Sequence, residues 1–332
     1  MVTQQRLTTL LLAGILAISG SVVAPFSAYA QVAEDPFTDV SKNNDYAYVL
    51  SELKADGVIK GYADGSFQPD KPINRAEALK IIVGALRKDS ASIEKKAALE
   101  KTTFQDVDKE NASHDWFHDL VLYAKRVNII DGVKREIEGK NELFFYPDRI
   151  VQIPDALRML MRAKMADAES MQAATTKEVP DTVPDDAWFR SDLQLALHYG
   201  LISQRTTGEL VWSIDTPLTR GQLALLIYKY KHALETKSRF GFASWYGDGL
   251  SKVRPAQNMT YVEQHLTAAH RTLPFGTLVK VTNIWTGQSV TVVINDRGPY
   301  IKGRILDLSK TAFSRIASPG SGTTLIQYDP LP

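Results

Sequence analysis

The feature that most restricts the fold of this chain is a weak internal repeat between residues 31 and 230. The letters FTDV at residues 37–40 recur as FQDV at residues 104–107, and VPD at residues 179–181 is a fainter third copy. The period is roughly 65 to 75 residues, and units that repeat in this way bury their apolar faces by stacking on their neighbours. The sequence therefore predicts three similar units that share one core.

Each copy has the pattern of two helices. An aromatic-containing segment leads into apolar residues at helical spacing, and a second helix follows a turn. The second helices are predicted to begin at Asn74, at Pro154-Asp155 and at Thr219, which are residue types that favour a helix N-terminus. Asn74 is followed three residues later by Glu77, which is the capping-box pattern. The copies are predicted to span residues 31–100, 101–177 and 178–232, and the second copy is degenerate.

The last part of the chain has the pattern of short β-strands. Residues 278–282 and 290–294 are rich in β-branched side chains and are separated by a polar turn. The letters DRGP at residues 296–299 end the second run, and a third short run follows at residues 305–308. We therefore predict that residues 238–332 form a small all-β barrel, so that the chain is multidomain, with a mostly α-helical unit before the barrel.

Three titratable side chains of this β-rich region are candidates for a site. His270 and Asp296 adjoin strand ends, and Asp307 stands between Leu306 and Leu308, where a solvated carboxylate is not expected. Burial and neighbouring charges shift pKa values at such places, and shifted pKa values are typical of active sites. Each residue also has a structural interpretation. Asp296 would close a turn, Asp307 would cap a following helix, and His270 would be a satisfied core histidine.

The composition excludes several classes of protein. The formal net charge is +1, whereas a dedicated nucleic-acid binder has a strong basic field. There is no cysteine, which excludes disulfides, thiolate metal sites and cysteine nucleophiles. The sequence contains none of the short motifs of the common cofactor-dependent and metal-dependent families, so we predict no cofactor and no metal site.

Residues 1–30 have the pattern of a secretory signal peptide. Arg6 precedes an apolar run, and Ala28-Tyr29-Ala30 is a small-x-small cleavage site. An uncleaved N-terminal anchor is the alternative, because the apolar run is close to the minimum length that spans a bilayer. In both cases the rest of the chain is exported, and no stable membrane span is expected after cleavage.

Four motifs of the β-rich region resemble, in the same order, those of the RlpA family. They are WYG at residues 245–247, TAAHRTLPFG at residues 267–276, NDRGPY at residues 295–300 and GRILDLS at residues 303–309. The resemblance implies a six-stranded double-psi β-barrel related to that of expansins. It also implies cleavage of peptidoglycan glycan strands by lytic transglycosylation, which leaves 1,6-anhydro-muramyl products. One position departs from the family, because Met259 stands where the family often has a glutamate.

The resemblance also implies roles for individual residues. The reaction needs a carboxyl group that stays protonated near neutral pH, and Asp307 is the best candidate for this acid. Asp296 would be its partner or a substrate contact, and His270 would hydrogen-bond an acid or the sugar. Side chains nearby would contact the glycan, namely Trp245, Tyr246, Thr267, Arg297 and Tyr300. The alternative for the aromatic residues is burial in the core, and the alternative for the arginine is a surface ion pair.

The three-copy region resembles S-layer homology repeats. The likeness lies in the FxDV openings, in GYADGSFQPDKPINRAE at residues 61–77 and in LTRGQ at residues 218–222. In that family three repeats form a pseudo-threefold unit that binds a secondary cell-wall polysaccharide, and an arginine meets the acidic sugar. By position, the binding residues would be Asn74, Arg75, Glu77, Thr219 and Arg220. The second copy has no arginine at the matching place, so its cleft would be silent. The alternative for the two arginines is neutralisation of nearby acidic side chains.

Together these observations predict an exported, wall-anchored lytic transglycosylase of the cell envelope. The repeats would hold it to a wall polysaccharide or an S-layer, and the barrel would cut peptidoglycan glycan strands. No nucleic acid is expected as a partner. The alternative is a non-catalytic, expansin-like protein that binds or loosens the wall, and Met259 favours it. A purely structural S-layer subunit is a third interpretation, but it leaves the barrel motifs without a use.

Overall fold

The computed structural model of the chain describes residues 34–86, 104–108, 110–164, 168–203, 213–246 and 266–331. It consists of a helical unit followed by a closed six-stranded β-barrel, so the predicted multidomain fold class is confirmed. The predicted signal peptide and Met259 lie outside the described residues. Within the part that the structure describes, none of the helices has both the length and the apolar character needed to cross a membrane.

The described residues of the helical unit form three helix pairs. The first helices are α1 (Ala47–Ala55), α3 (Asp115–Arg126) and α6 (Arg190–Tyr199), and the second helices are α2 (Arg75–Leu86), α4 (Ile153–Ala163) and α7 (Arg220–Glu235). A short helix, α5 (Ala168–Ala174), and a hairpin of β1 (Val133–Ile137) and β2 (Lys140–Phe144) belong to the same unit. Helices α2 and α7 each begin one residue after a predicted cap. Asn74 and Thr219 form reciprocal capping boxes with Glu77 and Gln222.

A ring of three backbone hydrogen bonds joins the three copies at their centre. The amide of Ile73 donates to the carbonyl of Leu218, that of Leu218 to Val151, and that of Val151 back to Ile73. The N···O distances are 3.0, 2.8 and 2.9 Å, and the three side chains are at most 1% exposed. The ring is the pseudo-threefold centre of the unit. Because these residues closely precede α2, α4 and α7, the second helices all start from this centre.

The FxDV openings stabilise a strained turn in the first two copies. The Asp39 carboxylate accepts hydrogen bonds from the amides of Phe67 and Gln68, and the Asp106 carboxylate accepts from Tyr146 and the residue before it. Gln68 and Tyr146 both have a φ of 56°. A left-handed backbone is costly for a residue with a side chain, so the hydrogen bonds to each aspartate hold the turn in place.

The barrel follows the helical unit. Its strands are β3 (Arg239–Tyr246), β4 (Thr267–Ala269), β5 (Leu278–Asn283), β6 (Ser289–Asp296), β7 (Arg304–Ser309) and β8 (Thr323–Pro330), and helix α8 (Lys310–Phe313) follows β7 directly. The order around the barrel is β3-β7-β4-β6-β5-β8, with β3 parallel to β7 and β4 parallel to β6. Alternate apolar side chains fill the interior, among them Val292, Ile294, Leu306 and Leu308, which are fully buried.

The barrel packs directly against the helical unit. Phe240 and Leu325 of the barrel belong to the same buried cluster as the helices. Gly200 ends α6 with a φ of 69°, and a Cβ atom at this position would lie 1.9 Å from the carbonyl oxygen of Phe240. The Tyr228 hydroxyl of α7 donates to the Gln327 side chain of β8 over 3.1 Å. A close backbone contact and a buried hydrogen bond therefore fix the barrel on α6 and α7.

Candidate functional site

Four residues on neighbouring strands lie side by side on the barrel wall, and we call them the acidic row: Ser244, Asp307, Ala269 and Asp296. In the strand register Ser244 is opposite Asp307, and Ala269 is opposite both aspartates. Residues opposite one another on adjacent strands point to the same face of the sheet. Because neighbouring strands are about 4.8 Å apart, the backbones of the two aspartates are separated by about 10 Å.

A β-bulge brings Asp296 into the acidic row. Ala268 is opposite Ile294, but Ala269 is opposite Asp296, so Asn295 is the extra residue of the bulge. Ile294 is fully buried in the barrel interior, and strict alternation would place Asp296 on that same side. The bulge changes the alternation, and Asp296 lies half-buried on the side of Ala269.

Asp307 is half-buried, and its two neighbours in β7 fill the barrel interior. Its Oδ1 accepts a hydrogen bond from the Ser244 hydroxyl over 2.7 Å. A serine hydroxyl can donate to a carboxylate and accept from a carboxylic acid, so Ser244 can hold the group in either protonation state. The helix-cap interpretation of Asp307 does not apply, because the Ser309 hydroxyl caps α8 by accepting from the amide of Ala312.

Asp296 and Arg297 form a turn at the end of β6. Oδ1 of Asp296 accepts from the amide of the next residue, Arg297, over 2.7 Å, whereas an Asx-turn would accept from the amide two residues on. The Arg297 guanidinium lies 3.7 Å from the centre of the Phe275 ring and donates to the carbonyl of His270 over 3.4 Å. Phe275 is 60% exposed, so this guanidinium and ring form an accessible stacked pair beside the acidic row.

His270 has a defined hydrogen-bonding state. Its Nδ1 accepts from the amides of Thr272 and Leu273, so the proton is on Nε2, which lies 3.2 Å from the Tyr328 hydroxyl. Burial, with a smaller effect of two neighbouring arginines, lowers the pKa of the imidazole from its ordinary value. The ring is therefore neutral at neutral pH and ties the turn after β4 to β8. This geometry favours a structural role over direct contact with a substrate.

The predicted glycan contacts do not all lie on the face of the acidic row. The hydroxyls of Tyr246 and Thr267 are 2.6 Å apart, which links β3 to β4. The indole N–H of Trp245 donates to the carbonyl of Pro319 over 3.0 Å. Trp245 is opposite Leu308 in the strand register and packs against the barrel core, so its ring lies on the other face of β3 from Ser244. Tyr300 is 79% exposed, in the loop that follows β6.

Three residues of this site were not predicted from the sequence: Ser244, Arg271 and Phe275. Ser244 is 63 positions from Asp307, and no local pattern marks it. Arg271 donates to two backbone carbonyls of the loop between β6 and β7 and to the carbonyl of Arg304 at the start of β7, and these bonds hold the loop in place. Arg271 and Phe275 both belong to the TAAHRTLPFG motif, so that motif was the signal that could have identified them.

A second candidate site is a cavity of about 280 Å³ in the helical unit. We call it the arginine cavity, because Arg75, Arg149 and Arg158 line it, together with Asp155 and Trp188. The Asp155 carboxylate accepts from Arg75 over 2.9 Å and from Arg149 over 2.7 Å. Burial lowers the pKa of the Arg75 guanidinium, and the Asp155 carboxylate opposes that shift. The Arg158 guanidinium lies 4.5 Å from the centre of the Trp188 ring.

The lining of the arginine cavity is suited to an acidic ligand. Among the described residues that line it, three guanidinium groups face two carboxylates, those of Asp131 and Asp155, so the net charge is positive. The buried Nε of Arg75 has no hydrogen-bond partner within the described residues. Arg149 and Arg158 belong to the second copy, but neither occupies the position that matches Arg75 and Arg220. Comparison of the three copies in the sequence therefore did not identify them.

Arg220, at the matching position of the third copy, lies in a different environment. Its Nε donates to the carbonyl of Phe67 over 2.8 Å, and its guanidinium lies 4.5 Å from the ring centre of Tyr62 and 4.8 Å from that of Phe67. Arg75 also lies over a ring, 5.3 Å from the centre of Phe145, but it borders a cavity, whereas Arg220 is stacked on two rings. The capping boxes described above contain the other three predicted polysaccharide-binding residues, which are Asn74, Glu77 and Thr219.

Comparisons with known proteins agree with both motif resemblances. A family model described as lytic transglycolase matches residues 239–328, and one described as S-layer homology domain matches residues 36–79. The chain is 53% identical over 89 residues to the probable endolytic peptidoglycan transglycosylase RlpA of Synechocystis, and 47% identical over 89 residues to the endolytic peptidoglycan transglycosylase RlpA of Campylobacter jejuni. Each match covers 27% of this chain. They cover 28% and 32% of the two relatives, so the chain spans about a third or less of their length.

Among solved structures, the chain is similar to two of an expansin from Clavibacter michiganensis, the apo form and a variant in complex with cellohexaose. The identities are 21% and 20%, and each match covers 29% of this chain and 50% of the other, with a TM-score of 0.24. The two family matches confirm that this protein has an RlpA-like double-psi barrel and an S-layer homology domain.

Proposed function

We propose that the barrel is a lytic transglycosylase that cleaves peptidoglycan glycan strands, and that the helical unit attaches the exported protein to a wall polysaccharide. The observation that supports the reaction most directly is the acidic row, in which Asp307 and Asp296 are two strands apart on one half-exposed face. The sequence identity between the barrel and proteins named RlpA transglycosylases supports the same reaction.

Asp307 is the general acid in this proposal. Its carboxyl group donates a proton to the glycosidic oxygen that links C1 of a muramyl residue to the next sugar, and the bond from C1 to that oxygen breaks. The C6 hydroxyl of the same muramyl residue forms a bond to C1, and its proton passes to the Asp307 carboxylate. The product has a 1,6-anhydro-muramyl end, no water is consumed, and the acid is ready for the next cycle.

The other residues of the site orient the acid and stabilise charge. Ser244 holds the Asp307 carboxyl group through the 2.7 Å hydrogen bond. Asp296 is about 10 Å away along the sheet, which leaves room for a sugar ring, and its negative charge stabilises the positive charge that develops at C1. His270 is a positioning residue, because both of its ring nitrogens bond to protein groups. The proposed glycan contacts are Trp245, Tyr246, Thr267, Arg297 and Tyr300.

A non-catalytic, expansin-like wall-loosening protein is the second candidate function. It is favoured by Met259, which stands in place of a glutamate and cannot transfer a proton. The same face of the barrel would then hold a glycan strand without cutting it.

Incubation of the purified full chain with peptidoglycan, followed by mass spectrometry of the soluble products, tests the reaction. The wild type is expected to release anhydro-muramyl ends. Asp307→Asn is expected to lower the rate by about a hundredfold or more, because asparagine cannot deliver a proton. Its melting temperature and glycan binding should stay close to those of the wild type, because asparagine still accepts the Ser244 hydrogen bond. Asp185→Asn, at an exposed position, is the matched control.

Met259→Glu makes the same experiment sharper. A faster release of product would indicate that the missing carboxylate limits the rate. If neither the wild type nor Met259→Glu releases anhydro product, from strands with or without stem peptides, the transglycosylase proposal is wrong and the binding function replaces it.

The attachment proposal is supported by the arginine cavity. A planar guanidinium pairs with a carboxylate or a ketal-linked acid through two parallel hydrogen bonds, and three guanidiniums line this cavity. A wall polysaccharide that contains acidic sugars is the ligand favoured by this charge.

Sedimentation with wall sacculi tests the attachment. Arg75→Gln combined with Arg149→Gln should weaken retention by about tenfold or more, because two charge-assisted contacts are lost. Arg126→Gln, outside the cavity, is the control, and sacculi stripped of their secondary polymer should retain none of the variants. Unchanged retention of a folded double variant would contradict the assignment of the cavity.

A further inference from the structure

We propose that the glycan-binding face of the barrel continues into a groove that the barrel and the helical unit form together, and that this groove binds further neutral amino-sugar units of the same strand. The inference rests on the proposed transglycosylase function and extends it, because it assigns sugar subsites to residues outside the acidic row. We call this site the joint groove.

The joint groove has a volume of about 590 Å³, within the usual range of ligand sites in proteins. The turn between β5 and β6 forms one side, with Trp285 and Gln288, and the segment after α8 forms another side, at Pro319. Thr323 at the start of β8 also lines the groove. Asp45, just before α1, comes from the helical unit. The groove is therefore composed of both regions of the molecule.

The joint groove adjoins the acidic row. Thr323 of β8 is opposite Ser244 of β3, which is opposite Asp307 of β7. Thr323 is therefore the next position along the row, about 10 Å from Asp307 on the barrel wall. The hydrogen bond from the Trp245 indole to the carbonyl of Pro319 attaches the rim of the groove to the same strand β3. A glycan strand that crosses Asp307 and Ser244 thus leads into the groove.

The lining of the joint groove matches an uncharged ligand rich in hydroxyl and amide groups. About half of the lining residues carry hydroxyl or amide groups, and most of the others are apolar, among them Trp285 with its half-buried ring. Of the described lining residues, Asp45 is the one that bears a charge. The described lining offers no cation to a carboxylate such as the lactyl group of a muramyl unit, whereas the acetamido and hydroxyl groups of an N-acetylglucosamine unit find both donors and acceptors. The joint groove and the arginine cavity therefore select different wall polymers.

The helical unit orients the aromatic part of the joint groove. The rings of Tyr46 and Trp285 are in edge contact, with centres 6.4 Å apart and planes at 87°. The Asn44 side chain accepts from the amide of Tyr46 over 2.8 Å, which closes the turn that contains Asp45. Because the barrel and the helices share a buried core, Trp285 and Asp45 keep a fixed relative position. The subsites therefore depend on the docking of the two regions.

Calorimetric titration with oligomers of N-acetylglucosamine tests the groove. The full chain with Asp307→Asn, which cannot turn over, is titrated with the dimer and with the hexamer. We expect the hexamer to bind about tenfold more tightly or better, because only the longer oligomer reaches from the acidic row into the groove. In the same background, Trp285→Ala should bring the hexamer-to-dimer affinity ratio close to one, and Asp45→Ala should reduce it several-fold.

Trp116→Ala removes an exposed tryptophan that does not line the groove, and it should leave the ratio unchanged. Thermal unfolding shows whether each variant is folded. Because Asp45 is exposed, Asp45→Ala tests the groove without the loss of packing that Trp285→Ala can cause. The inference is overturned if folded Trp285→Ala and Asp45→Ala keep the ratio of the parent chain. If the wild type releases no anhydro product but the variants have a lower hexamer-to-dimer affinity ratio, the transglycosylase proposal is wrong and the groove proposal stands. If the wild type releases anhydro product but the variants keep the affinity ratio of the parent chain, the transglycosylase proposal stands and the groove proposal is wrong.

Discussion

The helical unit and the barrel differ in where their charged candidate residues lie. In the helical unit, Arg75, Arg220 and Lys229 are each at most 8% exposed, and protein groups bind all three. On the barrel, Asp307 and Asp296 are half-buried. The first group is built into the core of its region, whereas the second group keeps partial access to solvent.

This difference determines how substitutions in the two regions are to be interpreted. A buried charge that loses its partner destabilises the fold strongly, whereas a half-exposed carboxylate with a hydroxyl donor contributes little to stability. Loss of wall binding after an arginine substitution is therefore meaningful only when the variant is shown to be folded. Loss of turnover after Asp307→Asn reports on the chemistry more directly.

The largest expected effect lies where the two regions meet. Gly200→Ala should lower the free energy of unfolding by about 4 kcal/mol, because a Cβ atom would lie 1.9 Å from the Phe240 carbonyl oxygen. Gly57→Ala is the matched control. It has a φ of 70° at the end of α1 with no described atom within 4 Å of the added Cβ, so it should lose only about 1 kcal/mol. Chemical denaturation measures both, and equal losses would mean that docking of the barrel contributes little to stability.

A pair of identical substitutions compares the two regions directly. Asp155→Asn should lower the free energy of unfolding by about 3 kcal/mol, because it removes the charge that two guanidiniums share in the arginine cavity. Asp307→Asn should lower it by less than about 1 kcal/mol, because the Ser244 hydrogen bond can persist. Denaturation curves at one pH are sufficient. If Asp307→Asn proved the more destabilising of the two, the contrast between the regions would be incorrect.

The smallest expected effect concerns Lys229, whose Nζ donates to the carbonyls of Gly200 and Leu201. Burial lowers the pKa of this amine from 10.5 to about 7. Between these two values the unfolded chain binds a proton here that the folded chain does not, so this group makes stability rise with pH. Lys229→Met should therefore flatten the dependence of the unfolding free energy on pH between about 7 and 9. Lys60→Met, at an exposed position, is the control, and an unchanged slope would mean that the buried amine keeps its proton.

The local sequence was enough to predict the secondary structure around the site. The helix starts after Asn74 and Thr219 and the strands at residues 278–282 and 290–294 are present as α2, α7, β5 and β6. Capping boxes and strand alternation depend on residues within a few positions of one another, so the pattern of letters is sufficient. The two acids of the barrel were also identified from their places beside strand ends and apolar neighbours. Their roles in catalysis stay predictions.

The contents of each site were predicted only in part. Ser244 was missed because its contact with Asp307 joins strands that are distant in sequence. The position of Asp296 depends on a bulge that becomes visible only when β4 and β6 are paired. His270 looked like a catalytic candidate, and only the contacts of its two ring nitrogens revealed how it is held.

The sequence by itself determined the repeat, the helix caps and the alternation of the strands, because each of these depends on near neighbours in the chain. The tertiary structure alone decided which distant residues meet. Arg75 reaches Asp155 because three copies close a ring, and Asp45 reaches the joint groove because the helices dock on the barrel. Register, bulge and docking depend on how close-packed cores fill space, and that is a property of the whole chain.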